Sequence, residues 1–371
     1  TAEVKGGSRQ LNRGYRRPFT GRIDWGVQSY AVTPPPKATE NPARVLSLHG
    51  AGVEAAGQAA SSAPKPWAVI ASPTNRRPFG FDWEEWGRWD ALEVLALAQS
   101  RYRTDPTRTY LTGHSMGGHG TWSVGLTFPD RFAAIAPSAG WISFRTYARA
   151  GQTAPDDSPM QQLLRRAAAS SDTLSLVSNT LHQAVYILHG DADDNVPVTE
   201  ARAMRERLGQ FHRDFAWHEQ AGAGHWWDAL DEPGTDCVDW APMFDLFARR
   251  RIPALGETRA VQFTTVNPGV SSRCRWLAIE AQQRPLEPSH VAARCDPGRR
   301  RIVAQTVNVA RLSFQLDPMI PPGAPIDIEL DGQRLEGVAW SLWTTNREPA
   351  VQKADEPIAF ERDNERWRLA G

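Results

Sequence analysis

Cysteine is scarce in this 371-residue chain: there are three, Cys237, Cys274 and Cys295. That is too few for a disulfide framework, and their spacing fits no zinc-ligand pattern. Cys274 and Cys295 share a C-terminal segment and would pair only if that segment is a sandwich in an oxidising compartment; Cys237 reads as a small buried residue. Lysine is rarer than arginine, with Lys5, Lys37, Lys65 and Lys353 alone, a bias from which no function is read. There is no excess charge, because 42 Lys and Arg balance 42 Asp and Glu, which removes the global electrostatic case for nucleic acid or an anionic membrane as partner. No apolar run approaches the roughly 18 residues of a membrane span. The chain starts at Thr1 with neither Met nor a signal-peptide pattern. A processed or trimmed piece of a longer protein, secreted or periplasmic, is expected.

What is present is globular in composition, 41% hydrophobic and 23% charged, and at roughly 100 to 200 residues per domain the length predicts two domains or one large one. Fifteen Trp residues provide many flat faces for packing or for flat ligands. Residues 1–20 are polar and without period and read as a tail or truncated end. Ile23 to Val32 reads as an edge hairpin closed by Pro34-Pro35-Pro36. Short apolar runs then recur at Arg44 to Leu48, Trp67 to Ala71, Thr109 to Thr112, Phe132 to Pro137, Val185 to Leu188 and Phe215 to His218. Between them Trp89 to Ser100, Met116 to Phe128, Val198 to Leu208 and Val238 to Arg250 carry helical spacing. Buried strands alternating with helices predict an α/β domain over 21–252 with a mostly parallel sheet. Ser143 to Leu181 is a long polar insertion with one helical patch, Met160 to Ala169, expected to form a cap. From 258 to 371 the pattern changes to short β-like runs, Val261 to Thr265, Arg275 to Ile279, Arg301 to Val307, Leu312 to Leu316, Ile326 to Leu330 and Val338 to Trp343, with an Asp331-Gly332 hairpin signal, which predicts a small all-β, sandwich-like domain.

Chemistry concentrates in three loops. Gly113-His114-Ser115-Met116-Gly117-Gly118 follows an apolar strand and opens a helix, the context a nucleophile elbow requires. Its glycines leave room for a cramped turn that pushes the Ser115 hydroxyl outward and aims the Met116 N–H at developing negative charge. A serine needs a positioned base and an orienting carboxylate. Leu188-His-Gly-Asp-Ala-Asp193-Asp-Asn-Val-Pro197 and Gly222-Ala-Gly-His225 supply both, in the order of an α/β-hydrolase. These three motifs resemble the catalytic domain of the prolyl-oligopeptidase-like branch of α/β-hydrolases, which includes feruloyl-esterase-like and polyhydroxybutyrate-depolymerase-like enzymes. The resemblance covers about residues 22–252.

The resemblance implies that the acid is Asp193, with Asp194 as runner-up and Asp191 a loop residue. It also implies that His49-Gly50-Ala51-Gly52 supplies a second oxyanion donor, assigned to the Ala51 amide with Gly52 as alternative, and that His49 braces the loop. His114 and His119 read as packing or rim residues. His182, His212 and His218 lack ligand spacing and the loop aspartates lack a calcium pattern, so no metal and no cofactor are assigned. Trp83, Trp86, Trp141 and Trp226 are candidate substrate-binding aromatics, whereas Trp89 reads as core. Glu84-Glu85 reads as a solvated helix approach. The expected activity is hydrolysis of a small-molecule or polymeric ester, aryl, feruloyl or acyl, through an acyl-enzyme. A prolyl-oligopeptidase-like peptidase is the alternative, and an inactive binding protein a third reading. Acyl group, alcohol and oligomeric state are not legible.

Overall fold

The computed structural model describes residues 14–76, 82–147, 158–317, 319–339 and 357–370. They form two compact units. The first lies within Thr1–Gly125, Arg131–Gly151 and Gln183–Ile252, the second within Leu126–Asp130, Gln152–His182 and Pro253–Gly371.

The first unit is built on strands β1 (Tyr15–Thr20), β2 (Val27–Thr33), β3 (Ala43–Leu48), β4 (Ala68–Pro73), β5 (Thr109–His114), β6 (Ala134–Ser138), β7 (Ala184–Gly190) and β8 (Phe215–Gln220). They form one sheet in the order β1-β2-β4-β3-β5-β6-β7-β8. β1 and β2 are antiparallel, β2 is antiparallel to β4, and β3 onward is parallel. Strands β3 to β7 are buried along their whole length, as a sheet covered on both faces requires. In chain order the described helices are α1 (Ala55–Ala60), α2 (Glu85–Tyr102), α3 (Met116–Thr127), α4 (Phe144–Tyr147), α5 (Pro159–Ala167), α6 (Thr199–Gly209), α7 (Asp236–Asp239) and α8 (Ala241–Ala248). The expected helix from Val238 to Arg250 is broken at Trp240, where an extended residue precedes Pro242 at the start of α8.

Two expectations need correction here. The expected tail is not structureless throughout, since Tyr15–Thr20 is the edge strand β1 and alternates half-buried and exposed residues. Its residues 1–13 lie outside the described residues. The insertion expected as a cap is divided: α4 stays with the first unit, while Gln152–His182, including α5, belongs to the second. The α5 helix starts at Pro159, with the Ser158 hydroxyl accepting the Gln161 N–H as its cap.

The second unit is a β-sandwich. Its strands are β9 (Ala260–Thr265), β10 (Arg273–Cys274), β11 (Leu277–Gln282), β12 (Ser289–Asp296), β13 (Arg301–Val307), β14 (Val309–Phe314), β15 (Ile326–Leu330), β16 (Gln333–Val338), β17 (Ile358–Asp363) and β18 (Arg366–Leu369). They form two sheets, β10-β11-β14-β17-β18 and β16-β15-β13-β12-β9. Phe263, Val291 and Ile302 from one face pack with Leu312, Phe314 and Phe360 from the other in one core. Asp331 and Gly332 take φ of 51° and 84° in the turn joining β15 to β16, as the Asp-Gly signal predicts. β12 was missed because Val291 is the one large apolar residue on its buried face, the others being Ser289, Ala293 and Cys295. The expected run Val338 to Trp343 falls mostly outside the described residues. All three cysteines are unpaired and buried.

Candidate active site

Ser115 follows β5 and adopts φ +60°, with α3 starting at the next residue. The turn is held by the Ser115 N–H on the Ser138 carbonyl at 2.9 Å and by the Gly118 and His119 N–H groups on the Ser115 carbonyl at 2.8 and 3.0 Å. The flanking glycines are required by space: a Cβ on Gly117 would lie 2.0 Å from the Leu48 carbonyl oxygen, and one on Gly113 would lie 2.4 Å from that of Gly117. Helix and strand therefore approach at a distance that only glycine permits, and the hydroxyl is thrust out beyond them.

The loops after β7 and β8 bring the other two groups to this corner. His225 Nε2 lies 2.8 Å from Ser115 Oγ, and its Nδ1 lies 2.8 Å from Asp193 Oδ2. A carboxylate only accepts, so Nδ1 carries the proton and Nε2 offers its lone pair to the serine hydroxyl. Asp193 is held from several sides. Its Oδ1 accepts the Asn195 and Val196 N–H groups, both at 2.9 Å, and His189 Nε2 lies 3.2 Å from Oδ2. Burial pushes the Asp193 carboxyl up, but the hydrogen bonds from His189, His225 and the two amides outweigh it and hold the group well below the usual carboxylate range. It therefore stays ionised beside the imidazole. Asp194 is exposed, and the Asp191 carboxylate accepts the Gly222 N–H at 2.6 Å, tying the acid loop to the base loop.

Beside the serine, Gly50 is so placed that a Cβ on it would stand 3.4 Å from Ser115 Cβ, which brings the turn carrying Ala51 alongside the nucleophile. His49 is buried and its Nδ1–H donates to the Gly50 carbonyl at 2.9 Å, while the Trp83 indole N–H donates to the His49 carbonyl at 3.1 Å. His114 is also buried, with its ring 4.9 Å from that of His225. Burial, with His225 as neighbour, pushes it down to about 3. The Ser138 hydroxyl donates to the Cys237 carbonyl at 2.5 Å, so His114 Nδ1 is the donor to Ser138 Oγ at 3.1 Å.

The four aromatic candidates divide. Trp226 is 53% exposed and meets the His114 ring edge-on at 5.2 Å. Trp86 is 56% exposed and lines a cavity of about 550 Å³ with Asp24, Asn75, Arg76, Asp82, Glu84, Glu85 and Gly87. Trp83 does not line a cleft: it is fully buried against Gly120 and the His49 turn. Trp141 is likewise buried, stacked between His119 and Tyr147. Trp89, expected in the core, is 39% exposed. Nothing in a one-dimensional pattern of Trp distinguishes a wall of a cleft from a wedge in the core. Asp82, Glu84 and His119, which no motif joined, bring their ligand atoms within 4.8 Å of one another.

With this geometry established, known proteins give the context. Residues 76–236 match the prolyl oligopeptidase family. An uncharacterized secreted protein of Arthroderma benhamiae is 31% identical over 232 residues, covering 57% of this chain and 25% of that protein. The chain thus spans about a quarter of the length of that curated relative. A candidate dipeptidyl aminopeptidase IV of Bacteroides ovatus superposes with a TM-score of 0.51 at 14% identity, over 66% of this chain and 36% of that one. An acylaminoacyl peptidase bound to Z-Gly-Gly-Phe-chloromethyl ketone gives 0.50 at 15%, over 65% and 42%. At such identities the likeness is one of fold. Among the described residues no helix is long and apolar enough to cross a membrane. Residues 76–236 thus resemble the prolyl oligopeptidase family of serine hydrolases, on an α/β-hydrolase fold in a chain that also carries a C-terminal β unit.

Proposed function

We propose that this protein is a secreted serine esterase that cleaves aryl, feruloyl or acyl esters of a polysaccharide or polyester through an acyl-enzyme. The observation that carries the reading is the unbroken hydrogen-bonded line from Ser115 Oγ through the His225 ring to Asp193, at 2.8 Å on each side. Ser115 attacks the acyl carbonyl as His225 Nε2 takes its proton. The ionised Asp193 holds the tautomer and balances the imidazolium that forms. The Met116 and Ala51 amides receive the oxyanion. His225 then protonates the departing alcohol, which leaves the acyl group on Ser115 Oγ. Water, deprotonated by the same imidazole, attacks the acyl carbon and releases the acid, and the proton returns to Ser115. Each step is carried by groups of this chain.

An ester, rather than a polyanion, suits the zero formal charge. The half-exposed face of Trp226, next to the base, suits a flat aryl or sugar ring. Secretion is supported by the Arthroderma relative, which is described as secreted. The family description favours a second reading, a peptidase using the same triad. One experiment addresses both. A fluorophosphonate probe is expected to label Ser115, and kcat/KM measured side by side is expected to be higher on aryl esters than on prolyl or dipeptide amides. The opposite ranking selects the peptidase, and absence of labelling in folded protein removes the hydrolase reading.

A further inference from the structure

The hydrolytic steps leave Asp82, Glu84 and His119 unused. His119 is fully buried on α3, one turn beyond Ser115. Its Nδ1 lies 3.0 Å from the Trp141 carbonyl oxygen, and because a carbonyl only accepts, Nδ1 carries a proton. The ring is fixed by stacking on Trp141, with centroids 4.8 Å apart and planes at 9°. The remaining nitrogen, Nε2, faces Glu84 Oε1 at 3.3 Å and Asp82 Oδ1 at 3.8 Å.

With Nε2 unprotonated, that nitrogen and one oxygen each of Asp82 and Glu84 are three possible ligand atoms within 4.8 Å of one another. A carbonyl holding the far imidazole N–H is the outer contact that metal-bound histidines use to fix tautomer and orientation. Asp82 is oriented too, since its Oδ1 accepts the Trp83 N–H at 2.6 Å. The cavity lined by Asp82, Glu84 and Trp86 opens beside the group and offers an entry path with room for water.

We propose that Asp82, Glu84 and His119 bind a divalent transition-metal ion, with zinc as the best chemical match, through one imidazole nitrogen and two carboxylate oxygens, water completing the shell. An imidazole among the donors disfavours magnesium and calcium, which take oxygen, and three protein ligands leave one open position on a tetrahedral ion. The ion's task is structural. It ties the segment entering α2 to α3 beside Met116, whose sulfur already accepts the Asp82 N–H at 2.8 Å. It enters no step of ester hydrolysis.

The test uses the full chain stripped with EDTA and titrated with Co²⁺ and then Zn²⁺. One equivalent of Co²⁺ should produce visible absorption of a low-coordinate site, and Zn²⁺ should abolish it. His119→Gln and Glu84→Gln each remove a ligand and should weaken binding by more than the roughly 10- to 100-fold typical of losing an outer-shell partner. If the buried His119→Gln fails to fold, Glu84→Gln decides, because that side chain lies at the rim of the cavity. Absence of an absorbing complex in the wild-type chain means that the group is an imidazolium–carboxylate pair and overturns the proposal. Binding unchanged in both variants places the ion elsewhere and overturns it equally. The same titration on Ser115→Ala should match wild type, so the outcome stands apart from the fate of the esterase reading.

Discussion

A serine held at φ +60° sits in a backbone region that costs a side-chain-bearing residue about 1–2 kcal/mol, and here the cost secures the outward hydroxyl. Two substitutions separate the geometry from the chemistry. Ser115→Ala should lower ester kcat by about a million-fold if the three groups act as a unit, with unchanged circular dichroism. Ser115→Gly should be equally inactive but more resistant to urea, gaining about 1 kcal/mol as the strain disappears. The buried histidines set the acid limit. The His114 value of about 3 in the fold lies below its unfolded value near 6.5, so below that pH the unfolded chain takes up a proton that the fold refuses. Stability is then lost as pH falls from 6.5 toward 3, about 2 kcal/mol by pH 5 from this one group. The lowered values of His49, His182, His212 and His290 act in the same direction. Urea midpoints at pH 7 and pH 5 should therefore converge more closely in His114→Gln than in wild type.

At the scale of elements, what converges is a set of loops at the ends of parallel strands. The loops bearing Ser115, Asp193 and His225 were legible in the sequence because their signals are local: glycines where the backbone crowds, an acid three residues past a strand, a histidine in a Gly-rich turn. The structure brings those side chains within hydrogen-bond distance. The role of Trp83 was not legible, since its burial depends on Gly120, which lies on a different element. Trp83→Ala should cost about 3–5 kcal/mol in a denaturant melt. Trp83→Phe should keep most of the packing but free the His49 carbonyl, lowering kcat more than it raises KM as the oxyanion turn loosens. Trp226→Ala, by contrast, removes a half-exposed side chain. It should change stability by less than about 0.5 kcal/mol and raise KM for aryl esters, a split that steady-state kinetics reads directly. The Asp82, Glu84 and His119 grouping escaped the sequence reading for the same reason as Trp83: three residues on two elements share no motif spacing.

At the scale of the molecule, the two units are interleaved along the chain rather than laid end to end. Sequence patterning separated an α/β stretch from a β stretch because their periods differ. The polar, weakly periodic Gln152–His182 segment gave no sign that Asn179 and His182 find partners 85 and 80 residues further on. Within the β unit, the fully buried Asn179 donates to the Thr264 carbonyl and accepts its N–H, both at 2.8 Å, and His182 Nε2 lies 2.6 Å from the Gln262 carbonyl oxygen. A chain ending at Ile252 is therefore expected to express poorly and aggregate, because Asn179 and its neighbours lose the strand that satisfies them. Removing residues 152–182 from that truncated chain should recover soluble protein, as gel filtration of the two versions side by side will show.

The interleaving also bears on the order of birth. At roughly 5–20 residues per second of synthesis, the Gln152–His182 stretch leaves the ribosome several seconds before strand β9 exists to receive it. Until then its buried amides have only water or a chaperone for company. Completion of the β unit thus becomes a checkpoint on the middle of the polypeptide, and a chain released before β9 is made would betray itself by an exposed interior rather than pass as a shorter enzyme.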